Sequence, residues 1–470
     1  MATRKLAQAA AVLAGVRLAP PAHAEKKKAA APAPAPAKAE GFVQARPAHV
    51  PHISEWVTNL IKYPNPLTQG KLSEVVSVDP AEVIVQSIAV KEGDYHDLPT
   101  FRRAGPTADI YWEPQEVRAC VVTCGGLSPG LNNVVRGIVT TLAHYGVDSV
   151  YGIQFGYKGF YASDYLQLNA RRLHLSHHTG GSMLGASRGG FDQTKIMDAV
   201  EARGINQVYI VGGDGTHRGA QKLHEEARRR GLKVAIVGVP KTIDNDIGLI
   251  DRSFGFKTCI EQARKAIECA RVEAASAPNG VCVVKLMGRD SGFIATHAVL
   301  SSRDVDLCLI PEVPMITEGP TSVYRHLRNV VRTKGSAVVV VAEGACQESL
   351  ENTNQKDPSG NKVYADVGSW LKRQIQANFT KHSMECNIRY IDPSYIIRSV
   401  PANADDSEYC TLLAQAAVHG AMSGFAAFSA GLVNNRTVMI PITMIGETSP
   451  RKQNIGRVWA RVVASTGQPF

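Results

Sequence analysis

The feature that most constrains this chain is a pattern that repeats from Ala119 onward: a short β-branched apolar run stops abruptly at Gly, Pro or a carboxylate, and an amphipathic segment often follows. Ala119 to Cys124 ends at Gly125-Gly126, Gln207 to Val211 at Gly212-Gly213-Asp214, and Lys233 to Val239 at Pro240-Lys241. Val281 to Met287 then ends at Gly288-Arg289, Leu307 to Ile310 at Pro311-Glu312, and Ser336 to Ala342 at Glu343-Gly344. Strands alternating with helices imply parallel sheets. The expected fold class is α/β, in two lobes, each a mostly parallel sheet flanked by helices. Polar residues then gather at the carboxyl ends of the strands, the edge at which open α/β sheets bind ligands.

The 470 residues are enough for more than one core, and 44% hydrophobic with 20% charged residues excludes a mostly disordered or collagen-like chain. The expected divisions are an extension at 1–45, a segment packing on the core at 46–115, lobes at 116–257 and 258–445, and a C-terminal segment at 446–470. The polar stretch Glu351 to Lys362 reads as an inserted loop. Half of the net charge of +10 lies in residues 1–40, where seven Lys and Arg face two Glu. The remaining +5 is only weak evidence for a polyanion partner and is compatible with pockets for small phosphorylated ligands, so no nucleic-acid partner is expected. No membrane span is expected, since Ala9 to Val16 is eight residues long against about 18 needed to cross a bilayer. Nine scattered Cys without a CxxC read as reduced, mostly buried thiols.

The first 24 residues carry Arg4, Lys5 and Arg17, no acidic residue and much Ala, which reads as a chloroplast (plastid) transit peptide. Ala22-His23-Ala24 also permits a signal-peptidase reading, and a cytoplasmic extension is the plain alternative. From Lys26 the alternation of Ala and Pro makes a linker.

Three turns carry chemistry. The first, Gly125-Gly126-Leu127-Ser128-Pro129-Gly130-Leu131-Asn132-Asn133, opens a helix whose apolar positions Leu131, Val134, Val135, Ile138 and Leu142 share one face. Its glycines let backbone N–H groups approach a phosphate at a helix N-terminus. It matches neither the GxGxxG dinucleotide loop nor the P-loop. The second turn, Gly212-Gly213-Asp214-Gly215-Thr216, sets a carboxylate inside a glycine loop that should hold phosphate. A bare carboxylate repels that anion, and a bridging Mg²⁺ removes the conflict because the hard cation takes carboxylate and phosphate oxygens together. The third, Pro240-Lys241-Thr242-Ile243-Asp244-Asn245-Asp246, places two carboxylates two residues apart beside a lysine. Phosphoryl transfer to an alcohol needs a base, a metal and cations for the charge on the transferring oxygens, and these residue types supply all three. Each turn alone is also compatible with a structural Gly- or Asx-rich turn.

Taken with Met287-Gly288-Arg289-Asp290-Ser291-Gly292, Pro311-Glu312-Val313 and Ala342-Glu343-Gly344, these turns resemble the 6-phosphofructokinase family over about residues 116 to 445. The likeness is strongest to its ATP-dependent plant and algal members. The resemblance implies transfer of the ATP γ-phosphoryl group to the 1-hydroxyl of fructose 6-phosphate, with Mg²⁺, by a homo-oligomer (dimer or tetramer). It makes 116–257 the nucleotide-binding lobe and 258–445 the sugar-phosphate lobe, with the active site in the cleft between them. Asp244 is then the base and Asp214 the Mg²⁺ partner, with Thr242 and Asp246 beside the transfer centre. Gly126, Gly213, Gly215, Thr216 and Lys241 fall among the nucleotide contacts. Tyr157, in Phe155-Gly156-Tyr157-Lys158-Gly159, matches a nucleotide-stacking tyrosine, and Arg188 matches a phosphate-binding arginine at the centre. Met287, Gly288 and Arg289 match the sugar loop, Glu343 a carboxylate on a sugar hydroxyl, and Arg389, Tyr395 and Arg398 groups around the 6-phosphate.

The chain departs from the pattern in three places. Gly280 stands where bacterial relatives carry an arginine for a neighbouring subunit's sugar phosphate, so that contact is in doubt. Arg136 matches one basic residue of the bacterial effector site, but Thr140 stands at the next, so that regulation does not carry over. Lys241 is the residue of pyrophosphate-using relatives, whereas Gly215 is that of ATP users. A side chain at 215 would crowd the α-phosphate of a nucleotide while Lys241 attracts either donor, so ATP is the expected donor and pyrophosphate the alternative. A lipid or NAD kinase shares GGDGT but not the sugar-site arginines. An inactive sugar-phosphate sensor would have lost Asp244 or Asp214.

Overall fold

The computed structural model describes residues 47–469 apart from 69–76, 90–98, 351–354 and 356–362. The transit-peptide and Ala-Pro linker expectations lie outside the described residues, as does the inserted loop except for Gln355. Among the described residues no helix is long and apolar enough to cross a membrane.

The described strands are, in chain order, β1 (Tyr63–Pro64), β2 (Val83–Val85), β3 (Thr100–Arg103), β4 (Asp109–Ile110), β5 (Arg118–Thr123), β6 (Ser149–Ile153), β7 (Leu166–Leu168) and β8 (Gln207–Gly212). They continue with β9 (Ala235–Pro240), β10 (Gly280–Leu286), β11 (Leu307–Leu309), β12 (Ser336–Ala342), β13 (Asn387–Ile391), β14 (Phe428–Val433) and β15 (Arg436–Pro441). Two sheets carry the architecture. A nine-stranded sheet has the order β2-β3-β15-β14-β9-β8-β5-β6-β7, and a four-stranded sheet has the order β11-β12-β10-β13. In the larger sheet β14, β9, β8, β5 and β6 run parallel, with antiparallel strands at both margins. All pairings of the smaller sheet are parallel.

The unbroken apolar runs follow from burial on both faces. Along β5, Ala119 and Val121 enter one core with Leu131, Val134 and Ile138 of helix Leu131–Tyr145. Cys120 and Val122 enter another with Ile196 and Leu223, from helices Gln193–Ala202 and Asp214–Arg229. In the smaller sheet Cys282, Val284 and Leu286 face helices Phe256–Ala275 and Phe293–Ser302, while Val281 and Val283 face helices Val323–Lys334 and Val367–Lys381. Each strand thus serves two cores at once.

The expected lobe boundaries need correction. β14 and β15, expected within the lobe at 258–445, pair with β9 and β3 of the larger sheet instead. The smaller sheet is therefore an excursion between β9 and the helix Ala404–Met422, after which the chain returns. The segment at 46–115 also does more than pack on the core, because β2 and β3 extend the larger sheet. The chain crosses once more at its end: Trp459 and Val462 of helix Arg457–Thr466 sit in a core of the smaller sheet. Apolar runs declare strands, but which sheet accepts a strand depends on partners far away in sequence.

Candidate active site

Strand order in the larger sheet reverses around β5, which lies between β8 and β6. Such a switch point leaves a crevice at the carboxyl ends of the strands. Three loops meet there. The Cys124 N–H donates to the Val211 carbonyl at 2.8 Å and the Lys241 N–H to the Gly212 carbonyl at 2.8 Å, which ties the turns after β5, β8 and β9 together.

Cations gather at the first turn. Lys241 is buried, and its Nζ donates to the Gly126 carbonyl at 2.7 Å. A Cβ placed on Gly126 would lie 3.8 Å from a guanidinium nitrogen of both Arg188 and Arg398. Burial pulls the Lys241 ammonium down to about 8, and the two nearby guanidiniums add to the shift. The Arg398 Nε is enclosed without a hydrogen-bond partner. Its guanidinium stacks 4.6 Å over the Tyr395 ring, which is 73% exposed. Arg398, expected at the sugar phosphate, thus stands at the glycine turn of the opposite lobe. An anion against Gly126 would answer three positive charges.

Gly215 is the second residue of helix Asp214–Arg229. A Cβ there would meet only the Arg218 Nη2, at 3.6 Å, an ordinary contact. Nothing in the chain itself demands glycine at this position. Asp214, at the positive end of that helix, is half-exposed and accepts from the Arg218 Nη1 at 3.0 Å. Thr216 accepts at its carbonyl a 2.7 Å hydrogen bond from the Tyr157 hydroxyl. Tyr157 is 5% exposed and packs edge-on against Phe191, with ring centroids 5.2 Å apart. The geometry makes it a support beneath the loop, with no open face for a nucleotide base to stack upon.

Asp244 links the two lobes. It receives the backbone N–H of Arg289 from beyond β10, while its Oδ1 is enclosed with no hydrogen-bond partner. Burial first, then the charges of Asp246 and Glu343, push its carboxyl up to about 7, against the opposing pull of Arg289. Asp246 is also raised by burial, opposed by the Thr242 hydroxyl, which donates to its Oδ1 at 2.6 Å. Asn245, between the two aspartates, is left-handed with φ of 57°, and its Oδ1 accepts from the Ser253 N–H at 2.8 Å. That residue reverses the chain so that both carboxylates stay at the strand end.

Across the cleft, Glu343 and Gly344 donate backbone N–H groups to the carbonyls of Leu286 and Gly288, each at 2.9 Å. Gly288 has φ of 127°, and a Cβ on Gly344 would fall 1.7 Å from the Arg289 carbonyl oxygen. Both positions therefore require glycine. Met287 is buried in the core beneath. The Glu312 carboxylate accepts the Gly292 N–H at 3.0 Å at the start of helix Phe293–Ser302, and the Gln453 N–H at 2.9 Å. Its motif braces the loops.

Arg389 is not brought into the cluster. It lies on β13 opposite Cys282, four residues before Leu286, which places it roughly 13 Å short of the carboxyl edge. It pairs there with Glu273 at 3.4 Å. Other side chains at the cleft carry no motif. The Tyr364 hydroxyl donates to Asp290 at 3.3 Å and its ring lies 5.3 Å from the Arg289 guanidinium. Lys285, a lone lysine in an apolar run, pairs with Asp392 at 2.7 Å, and that interruption was the signal by which it could have been found.

The Phosphofructokinase family model matches residues 118–421. "ATP-dependent 6-phosphofructokinase 7" of Arabidopsis thaliana is 50% identical over 428 residues, covering 89% of this chain and 88% of that protein. "ATP-dependent 6-phosphofructokinase 4, chloroplastic" of the same plant is 48% identical over 429 residues, covering 89% and 81%. Among solved structures, a pyrophosphate-dependent phosphofructokinase from Marinobacter aquaeolei shares the fold with a TM-score of 0.61 at 20% identity, over 72% of this chain and 86% of that one. Phosphofructokinase from Pichia pastoris does so with a TM-score of 0.58 at 20% identity, over 81% and 39%. With its switch-point glycines, paired aspartates and facing second sheet, this chain belongs to the phosphofructokinase family.

Proposed function

We propose that the protein is an ATP-dependent 6-phosphofructokinase, transferring the ATP γ-phosphoryl group to the 1-hydroxyl of fructose 6-phosphate. One observation carries the reading: Lys241, Arg188 and Arg398 converge on Gly126 while Asp244, at the same strand edges, touches the opposite lobe at Arg289. The cations take the charge that spreads over the transferring oxygens, and positioning with charge stabilisation supplies most of the catalysis in such transfers. Asp244, raised toward neutrality and with Oδ1 unpartnered, accepts the proton of the attacking hydroxyl. Arg289 and Glu343 orient the sugar, and Gly288 and Gly344 let the loops that carry them pack together. The position of Arg398 supports a hold on the phosphoryl group between the substrates, in place of the expected one on the 6-phosphate.

Donor choice follows from Gly215, whose missing side chain leaves space that the chain does not use. Among the described residues no group of three or more His, Cys, Asp or Glu could hold a metal ion by itself. The oxygen-only, partly exposed Asp214 fits Mg²⁺, which usually takes one or two carboxylates and completes its shell with phosphate and water. Bound there, Mg²⁺ would offset negative charge on the donor.

A coupled assay of the purified protein with fructose 6-phosphate, comparing ATP with pyrophosphate and with Mg²⁺ titrated, tests the reading. ATP-dependent formation of fructose 1,6-bisphosphate is expected, and turnover with pyrophosphate alone would overturn the donor assignment. The same reading includes a plastid location and a homo-oligomer. The first is supported by the acid-free N-terminus and a relative named chloroplastic, and a fluorescent fusion of residues 1–45 checks it. The second is supported by Val272, Tyr395 and Ile396, exposed by 72, 73 and 70%, and light scattering measures it.

A further inference from the structure

The polypeptide after β15 crosses from one sheet to the other and touches the turn that carries both aspartates. Helix Ile442–Thr448 leads into residues 449–456, which enter helix Arg457–Thr466 in the second lobe. On the way the Ser449 Oγ accepts the Gly248 N–H at 3.3 Å, and the Arg451 N–H donates to the Asp246 carbonyl at 2.6 Å. The Arg451 guanidinium donates to the Asn245 carbonyl at 3.3 Å and the Ile250 carbonyl at 3.1 Å. Its carbon lies 5.0 Å from the ring centroid of Phe293, the first residue of a second-lobe helix. Two residues on, Gln453 donates its N–H to Glu312 and accepts from the Thr296 hydroxyl at 3.0 Å, again in the second lobe.

We propose that Arg451 is a positioning residue for phosphoryl transfer: by binding the carbonyls of Asn245, Asp246 and Ile250 while stacked on Phe293, it holds the aspartate turn of one lobe in register with the other. The inference rests on the kinase reading above. The physical argument is that the left-handed Asn245 places the two carboxylates but is itself fixed on one side only, by Ser253. Arg451 supplies the other side with a planar fork that reaches two carbonyls at once, which a lysine cannot copy. It also sets a positive charge near Asp246 and Asp251. Other charged groups bear on the same pair: Asp244 faces Glu343, Arg289 and Lys241, and Asp246 faces Asp214 and Asp290 beside the Thr242 hydroxyl.

Arg451→Ala, Arg451→Gln and Arg451→Lys should be compared with Gln453→Ala, which loosens the same strap without touching the turn. Displacement of about an ångström at a reacting group lowers rate on the order of 10²-fold. We expect kcat of the Ala and Gln variants to fall ~10- to 100-fold with both KM values within ~3-fold. The acid limb of their kcat/KM profiles should move, since the cation beside Asp246, whose charge in turn bears on Asp244, is gone. Arg451→Lys should keep the parent's acid limb and recover part of kcat. Gln453→Ala should lower the thermal midpoint with kcat near the parent's. Parent-like kcat and acid limb in the Ala and Gln variants, or loss of kcat in Gln453→Ala equal to theirs, would overturn the inference. If the parent itself phosphorylates nothing, the kinase reading fails instead.

Discussion

Replacing Asp244 by Asn should cripple the enzyme and stabilise the fold, with the second effect growing as pH rises. The kinetic part follows from the base role: a positioned base is worth ~10²- to 10⁴-fold, or about 3 to 5 kcal/mol of barrier. The stability part follows from burial. A carboxyl whose pKa is raised to about 7 from an unfolded value of about 4 keeps in the folded state a proton that the unfolded chain has already lost. Parent stability therefore declines as pH climbs from about 4 to about 7, and above that window the charged group disfavours the fold by up to about 4 kcal/mol, at about 1.4 kcal/mol per pH unit. This is a ceiling, because Asp244 keeps some contact with solvent. The Asn variant lacks the burden, so its advantage over the parent should grow by roughly 2 kcal/mol between pH 5.5 and pH 8. Urea unfolding followed by circular dichroism at the two pH values, with kcat measured at pH 8, reads both effects. An advantage independent of pH would refute the raised carboxyl. A kcat within tenfold of the parent's would remove Asp244 from the base role.

Gly215→Asp should impair ATP use by more than tenfold while sparing pyrophosphate use, and equal loss with both donors in a donor-preference assay would contradict the open-space argument. Lys241, lowered to about 8, should lose its proton above that pH and give an alkaline limb in kcat/KM. Lys241→Arg should push that limb upward, because arginine stays charged, and an unmoved limb would assign it to another group. Gly344→Ala should sharply reduce soluble folded protein or kcat/KM for the sugar, since the new Cβ falls 1.7 Å from the Arg289 carbonyl oxygen. Parent-like melting and kinetics would show that the loop yields.

The cluster at the ends of β5, β8 and β9 was legible because its chemistry is local: glycine, carboxylate and lysine stand where an apolar run ends, and a strand end in a parallel sheet is an exposed edge. The grouping of Gly126, Lys241, Asp214 and Asp244 needed only that rule. Tyr157 was less legible, because an aromatic two residues beyond a loop residue can face outward or inward, and packing against Phe191 turns it inward. Arg389 and Arg398 form one set in their motif, yet β13 holds Arg389 at mid-strand, well short of the carboxyl edge of the sheet, while Arg398 lies past the end of β13 and reaches the Gly126 turn. Arg451 gave no signal at all. Its partners are backbone carbonyls, which every residue possesses, so no pattern of side chains announces the contact.

The return of β14 and β15 to the larger sheet has a consequence for biogenesis. During translation the ribosome delivers β5 to β9 first, but β14, next to β9, and β15, which joins it to β3, arrive about 190 residues later. Until then the flank of β9 presents unpaired main-chain groups and invites wrong partners. The two lobes cannot mature one after the other, so completion of the chain, rather than emergence of each half, is the event that commits this protein to its native form.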